Sequence, residues 1–153
     1  MSKEQQRWTP HVTVATVIER DGQFLLVEEH TPGGLVLNQP AGHLEAGESL
    51  VAAAARETRE ETGYDVAIDG LLGTALYESP DNQVTYYRTT FFGHVVSHNP
   101  TAELDDGIAR AVWLTHREML ADSARMRSPL VLASVEQYLK ELRWPLDFIY
   151  YSR

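Results

Sequence analysis

From His11 to Ile18 apolar and polar positions alternate, Asp21-Gly22 supplies residues suited to a tight hairpin turn, and Phe24-Leu-Leu-Val27 resumes the extended pattern. This predicts a β-hairpin. Thr31-Pro-Gly-Gly34 interrupts the pattern, Leu35–Leu37 offers a brief strand, and Asn38-Gln-Pro-Ala-Gly42 reads as an irregular loop. A helix follows, with Ser49 as its N-cap, Thr62 as its last residue and Gly63 at the left-handed position beyond the C-terminus. Four alanines at 52–55 favour it further. At about 100° per residue, Val51, Ala55, Thr58 and Thr62 share a narrow, mildly apolar side suited to lying against a sheet. Asp65–Tyr77 and Gln83–Val96 then predict two long strands joined at Ser79-Pro-Asp-Asn82, the second rich in aromatic and β-branched residues. A polar loop through Asp105-Asp106-Gly107 leads to a short strand ending at Val112-Trp113-Leu114, a short helix from Thr115 and a longer one near Ser128–Leu142. The order implies an α/β (α+β) chain in which helices cover both faces of a mixed β-sheet, an α/β/α sandwich.

The chain has 153 residues, 43% of them apolar and 23% charged, which suits one domain over 1–153 with its core at about 8–143. It carries no internal repeat and no low-complexity linker. Acids outnumber bases 22 to 13, and the net charge of −9 disfavours nucleic acid and anionic lipid surfaces as partners. Without cysteine there is no disulfide framework, thiolate zinc site or cysteine nucleophile, and a reducing cytoplasmic setting is expected. The start, Met1-Ser-Lys-Glu-Gln-Gln-Arg7, lacks the apolar stretch of a signal peptide, and no apolar run approaches the roughly 18 residues of a membrane span. Chemistry is therefore left to carboxylates, histidines and hydroxyls. His43 sits in the loop before the helix, whereas the other five histidines have no metal-ligand spacing and read as structural or surface residues.

Glu57, Glu60 and Glu61 recur at i, i+3 and i+4, so the predicted helix gathers three carboxylates within roughly a 100° arc. They repel one another unless something positive sits among them, and a hard divalent cation answers that need. An acidic helix face is by itself ordinary solvated surface. Here it sits in a longer pattern: Gly42, five residues, Glu48, seven residues, then Arg56-Glu57-Thr58-Arg59-Glu60-Glu61-Thr62-Gly63-Tyr64. Seven specified residues at fixed spacing arise by chance in about one in a million chains of this size. The pattern resembles a complete box of the Nudix hydrolase family, with one departure, Thr58 where an apolar residue is usual. His11-Val-Thr-Val-Ala15, Asn38-Gln-Pro-Ala-Gly-His-Leu-Glu45, Arg127-Ser-Pro-Leu-Val131 and Trp144-Pro-Leu-Asp147 extend the resemblance to the NudJ-type phosphatase branch over nearly the whole chain.

The resemblance implies a Nudix-like fold and Mg²⁺-dependent hydrolysis, with Mn²⁺ as a substitute, of small pyrophosphorylated metabolites. These include hydroxymethylpyrimidine diphosphate, thiamine diphosphate and nucleoside di- or triphosphates. It implies Glu57 and Glu61 as metal ligands, Glu60 as a further ligand or base, the Gly42 carbonyl as another ligand, Arg56 as a partner that orients a carboxylate, and Glu48 as a helper. The catalytic set is then Arg56, Glu60 and Glu61. One acid of Glu103, Asp105 and Asp106 is expected to complete the site. Arg127, before Ser128-Pro129 at a helix start, is the expected substrate contact, because a guanidinium grips a terminal phosphate with paired hydrogen bonds. Tyr77, Tyr86, Tyr87 and Trp8 are candidates for stacking on a flat ring, set against core or cross-strand packing. His43 is a candidate to approach phosphate. Gly63 reads as a cap only. Two other classes stay open: a Nudix pyrophosphatase acting on ADP-ribose, dinucleotides or oxidised nucleotides, and a nucleotide sensor without turnover. The expected assembly is a monomer, with a dimer as the other option.

Overall fold

The computed structural model describes residues 7–152. The readings made on the chain start and on a domain spanning 1–153 extend to residues 1–6 and 153, which lie outside the described residues. Strand β1 (His11–Arg20) turns through Asp21 and Gly22, both at positive φ, into β2 (Gln23–Thr31), as the alternation predicts. β3 (Gly34–Asn38) follows. The stretch read as an irregular loop then contains a further strand, β4 (Ala41–His43), held antiparallel to Thr13–Ala15 of β1. Its three residues carry no periodic signal of their own, and the pairing is made by a distant partner. Helix α1 (Leu50–Thr62) comes next, then the long strands β5 (Tyr64–Glu78) and β6 (Thr85–His98), then β7 (Ile108–Thr115). Helix α2 (His116–Ala121) is closed by a capping box between Thr115 and Glu118. Helix α3 (Pro129–Leu139) stops three residues before the predicted Leu142, because Lys140 caps it and Glu141 turns to positive φ.

The strands form a mixed sheet. β1 runs parallel to β6 and antiparallel to β4, β6 pairs with β5, and β2 lies between β3 and β7. Two layers of helix cover it. On one side α1 packs Ala53 and Ala54 against Val14, Leu71 and Phe91. On the other α3 packs Val131 and Val135 against Val17, Leu26, Leu37 and Leu72. Two alanines at the contact let α1 approach the strands closely, which fixes how far its other side chains reach. The inward side of α1 is Ala53, Ala54, Thr58, Glu61 and Thr62, so the predicted side through Val51 and Ala55 is turned by about one residue. Thr58, the departure from the family pattern, is fully buried, and its hydroxyl donates to the Ala54 carbonyl at 2.8 Å, so a polar group enters the core already satisfied.

Close packing between strands makes a sharp test. A Cβ on Gly93 of β6 would overlap the backbone carbonyl of Ala67 on β5, an atom that cannot rotate away. Gly93→Ala should cost about 1–3 kcal/mol of stability by overpacking, whereas Gly33→Ala, with only Thr31 Oγ1 nearby at 3.9 Å, should stay within about 0.5 kcal/mol. Urea denaturation midpoints compare the two.

Candidate active site

The site is built where α1 leaves β4. Ser49 caps the helix by accepting from the Ala52 amide at 3.1 Å, and Gly63 ends it at φ 75° with its N–H on the Arg59 carbonyl. The helix is thereby fixed in length and rotation over β4. Glu61 points inward, only 7% exposed, and accepts from the Ala41 amide at 2.7 Å. The Glu57 carboxyl lies directly over Gly42, so closely that any Cβ there would overlap it. A side chain at 42 would have to displace the Glu57 carboxylate from its place beside Arg56.

Arg56 is the hub of the acidic group. Its guanidinium meets Glu48 at 2.6 Å, Glu57 at 2.8 Å, Glu60 at 3.1 Å and Glu45 at 3.6 Å, and it donates to the His43 carbonyl at 3.1 Å. Four carboxylates therefore share one cation. Of the three loop acids left open by the sequence, Asp105 reaches the helix. Its amide donates to the Glu60 carbonyl at 3.0 Å, and its carboxylate comes together with those of Glu57 and Glu60, one oxygen from each lying within 4.8 Å of the others. Asp106 lines the adjoining cleft, and Glu103 is exposed. The three helix glutamates do not gather as one cluster: Glu57 and Glu60 face Asp105, while Glu61 turns to the Ala41 amide.

The electrostatics follow. Burial pushes the Glu61 carboxyl up to about 9, against the Ala41 hydrogen bond and with help from Glu29, Glu57 and Asp105. Burial also raises Glu57 and Asp105, and neighbouring acids add to both. Glu48 moves the other way, because its hydrogen bonds from Arg56 favour the charged form. Burial, reinforced by His11 at 3.0 Å, lowers the pKa of His43. The fit to a hard cation is direct: the donors are oxygens, they converge, and they hold charge that Arg56 alone does not neutralise.

A cleft of about 890 Å³ opens beside this cluster, with Gly42, His43, Glu61, Arg88, Asp106 and Arg127 among its lining. Arg127 precedes α3, where Ser128 caps and Pro129 fills the first turn, and it pairs with Glu29 at 2.9 Å. Tyr77 and Tyr86 line the cleft, whereas Tyr87 is on the opposite face of β6 and Trp8 is exposed outside the cleft. Arg88, Glu29, Asn38 and Gln39 also line or adjoin it and were assigned no role from sequence. The signal for Arg88 was available: it is the one Asp, Glu, Lys or Arg between Gln83 and Val96.

The family model described as "NUDIX domain" matches residues 8–135. The chain is 41% identical over 140 residues to "Phosphatase NudJ" of Escherichia coli K12, an alignment spanning 92% of this chain and 90% of that protein. A solved NUDIX hydrolase from Nitrosomonas europaea superposes with a TM-score of 0.91 at 47% identity, covering 94% of this chain and 98% of that one. The NUDIX domain of Shewanella oneidensis NrtR, solved with ADP ribose, shares the fold at a TM-score of 0.69 and 19% identity, over 92% and 94% of the two chains.

Glu61, Glu57 and Asp105 have folded pKa values above their unfolded ones. Each favours the folded state in its protonated form, fully below the unfolded value (near 4.5 for Glu61) and less as pH rises through the folded value, about 9 for Glu61. Glu48 acts in the opposite sense, losing its contribution only as pH falls through its lowered pKa. The metal-free protein should therefore lose Tm between about pH 5 and pH 9, and Glu61→Gln should flatten that fall. Calorimetric scans in chelator across this range provide the check; an equally steep fall in the variant would remove Glu61 as its source.

Proposed function

The chain belongs to the Nudix hydrolase family, and from that premise we propose that it hydrolyses the diphosphate of small pyrophosphorylated metabolites with Mg²⁺, or Mn²⁺ in its place. Hydroxymethylpyrimidine diphosphate, thiamine diphosphate and nucleoside di- or triphosphates are the substrates it would take. The observation that carries this reading is the convergence of Glu57, Glu60 and Asp105 oxygens beside a cleft that also holds Glu61 and Arg127. Its name-bearing relative, the NudJ phosphatase of 41% identity, supports the same class.

A diphosphate at neutral pH is a polyanion that repels an attacking water, so the site must supply positive charge and a base. Glu57, Glu60 and Asp105 would hold a divalent cation where their oxygens converge, with Glu61 and the Gly42 carbonyl as the further ligands the family resemblance implies, and a bound cation would neutralise phosphate oxygens and acidify water. Arg56 holds Glu48, Glu57 and Glu60 in fixed orientations through its hydrogen bonds. Glu60 or Glu61 takes the proton of the attacking water. Burial keeps Glu61 protonated in the metal-free protein, so loss of that proton and uptake of a dication form one linked equilibrium. Arg127, half exposed on the far side of the cleft, exchanges Glu29 for a substrate phosphate. One chain supplies all of these groups, so a monomer is sufficient, and the reading places it in the cytoplasm. Among the described residues no helix is long and apolar enough to cross a membrane.

Phosphate release from a panel of diphosphates, with Mg²⁺ and with EDTA, tests the proposal: chelation should abolish turnover. At saturating Mg²⁺, Glu60→Gln and Glu61→Gln should each fold and lower kcat by ~10²–10⁴. Near-normal kcat in both would reduce the acidic helix to solvated surface and end the hydrolase mechanism.

The cation cluster handles any diphosphate, so discrimination rests on the cleft. A guanidinium that grips a terminal phosphate favours short diphosphates over ADP-ribose and dinucleotides, whose phosphates are both esterified. Arg127→Ala should lower kcat/KM by about 10- to 150-fold, equivalent to about 1.5–3 kcal/mol. ADP-ribose turning over faster than every small diphosphate, or an unchanged kcat/KM in the variant, would move the specificity elsewhere.

A further inference from the structure

Strand β6 places Arg88 opposite Thr13 of β1, on the cleft side of the sheet with Tyr86, and leaves it only 6% exposed. Its guanidinium is only partly satisfied. Nη2 donates to the Gln39 side-chain oxygen at 3.0 Å and reaches that of Asn38 at 3.4 Å, and Nε has no hydrogen-bond partner. Both acceptors are neutral amides. Among the described residues no carboxylate forms an ion pair with it. Glu29 is held by Arg127 at 2.9 Å, and Glu61 by the Ala41 amide at 2.7 Å. Burial lowers the Arg88 pKa to about 10, partly offset by the fields of Glu29 and Glu61, so the group is still a cation at neutral pH.

A buried cation without a counter-ion is costly, and buried charges in proteins are paired as a rule. A purely structural role does not call for the charge. Gln39 is already anchored by donating to the Val131 carbonyl at 2.7 Å, and a neutral donor at 88 would satisfy its oxygen. What does call for it is an anion entering the cleft, whose lining Arg88 shares with Gly42, Glu61 and Arg127. We propose that Arg88 is a substrate-binding residue: its guanidinium grips a phosphate oxygen of the bound diphosphate, which completes the ion pair that the free protein lacks. This rests on the hydrolase reading for the nature of the ligand. It divides the cleft into an acidic end that recruits a cation and a floor and far wall, Arg88 and Arg127, that hold phosphate directly.

Imidodiphosphate, the non-hydrolysable nitrogen-bridged analogue of inorganic diphosphate, is the probe. Calorimetric titration of wild type and Arg88→Met at saturating Mg²⁺ should show Kd weakened by roughly 10- to 150-fold in the variant, with Arg88→Lys falling between, because lysine keeps charge and loses the fork. Imidodiphosphate should also raise the Tm of wild type more than that of Arg88→Met. A direct readout on the wild-type protein covers a variant that folds poorly: the Arg88 Nε–H NMR signal, assigned by its loss in Arg88→Lys, should shift as imidodiphosphate is added. Tight binding with that signal unmoved, or with equal Kd in a folded Arg88→Met, overturns the role of Arg88 and leaves the hydrolase reading standing. A wild-type protein that neither binds imidodiphosphate nor cleaves any diphosphate overturns both.

Discussion

The governing constraint is the contest over one guanidinium. Arg56 is hydrogen-bonded or close to Glu45, Glu48, Glu57 and Glu60, and Asp105 is brought against the same group by a backbone bond to Glu60. One cation among five acids leaves a local excess of negative charge; burial, with neighbouring acids adding to it, raises the pKa values of Glu57, Glu61 and Asp105, so protons are held where positive charge is lacking. The arrangement is tolerable because Arg56 holds it in register and because protons or a dication can supply what is missing. Everything else in the site is scaffolding for that imbalance: the caps that fix the length of α1, the alanines that let it lie close to the sheet, and the glycine that gives Glu57 room.

What local chemistry dictates was legible in the chain. The Asp21-Gly22 hairpin, the Ser49 and Gly63 caps and the spacing of Arg56 to Glu61 all depend on residues near one another in sequence, and the structure reproduces them. What depends on distant partners was not. β4 exists because β1 offers a free edge to Ala41–His43; Asp105 is singled out from Glu103 and Asp106 because its own amide reaches Glu60. The rotation of α1 also departed from its apolar pattern. Its buried side includes Glu61, so a reading that assigns burial to apolar residues turns the helix away from its true orientation.

The same reasoning explains why an acidic box could be recognised while the arginine side of the cleft was seen only in part. Carboxylates three and four residues apart on a helix announce themselves by spacing. Arg88 and Arg127 lie on different elements and meet in the cleft only through the fold, joined through Leu37, Asn38 and Gln39 at the end of β3: Arg127 donates its amide to Leu37, and Arg88 binds the side chains of the other two. Single arginines in a strand and at a helix entry have no periodicity, and their shared cavity is what relates them.

The segment that links the two arginines runs from the end of β3 into β4, and this connects the two ends of the cleft. Leu37 takes the Arg127 amide, Gln39 ties Arg88 to the first turn of α3, and two residues later Ala41 holds Glu61. Five consecutive residues therefore set the distance between the acidic cluster and the two cleft arginines. A strand pair and a helix start anchor that segment at either end, which restricts how far the spacing can change. Under the proposed function, the backbone of 37–41 would therefore limit the substrate length that fits, with Arg88 and Arg127 on the cleft wall it positions.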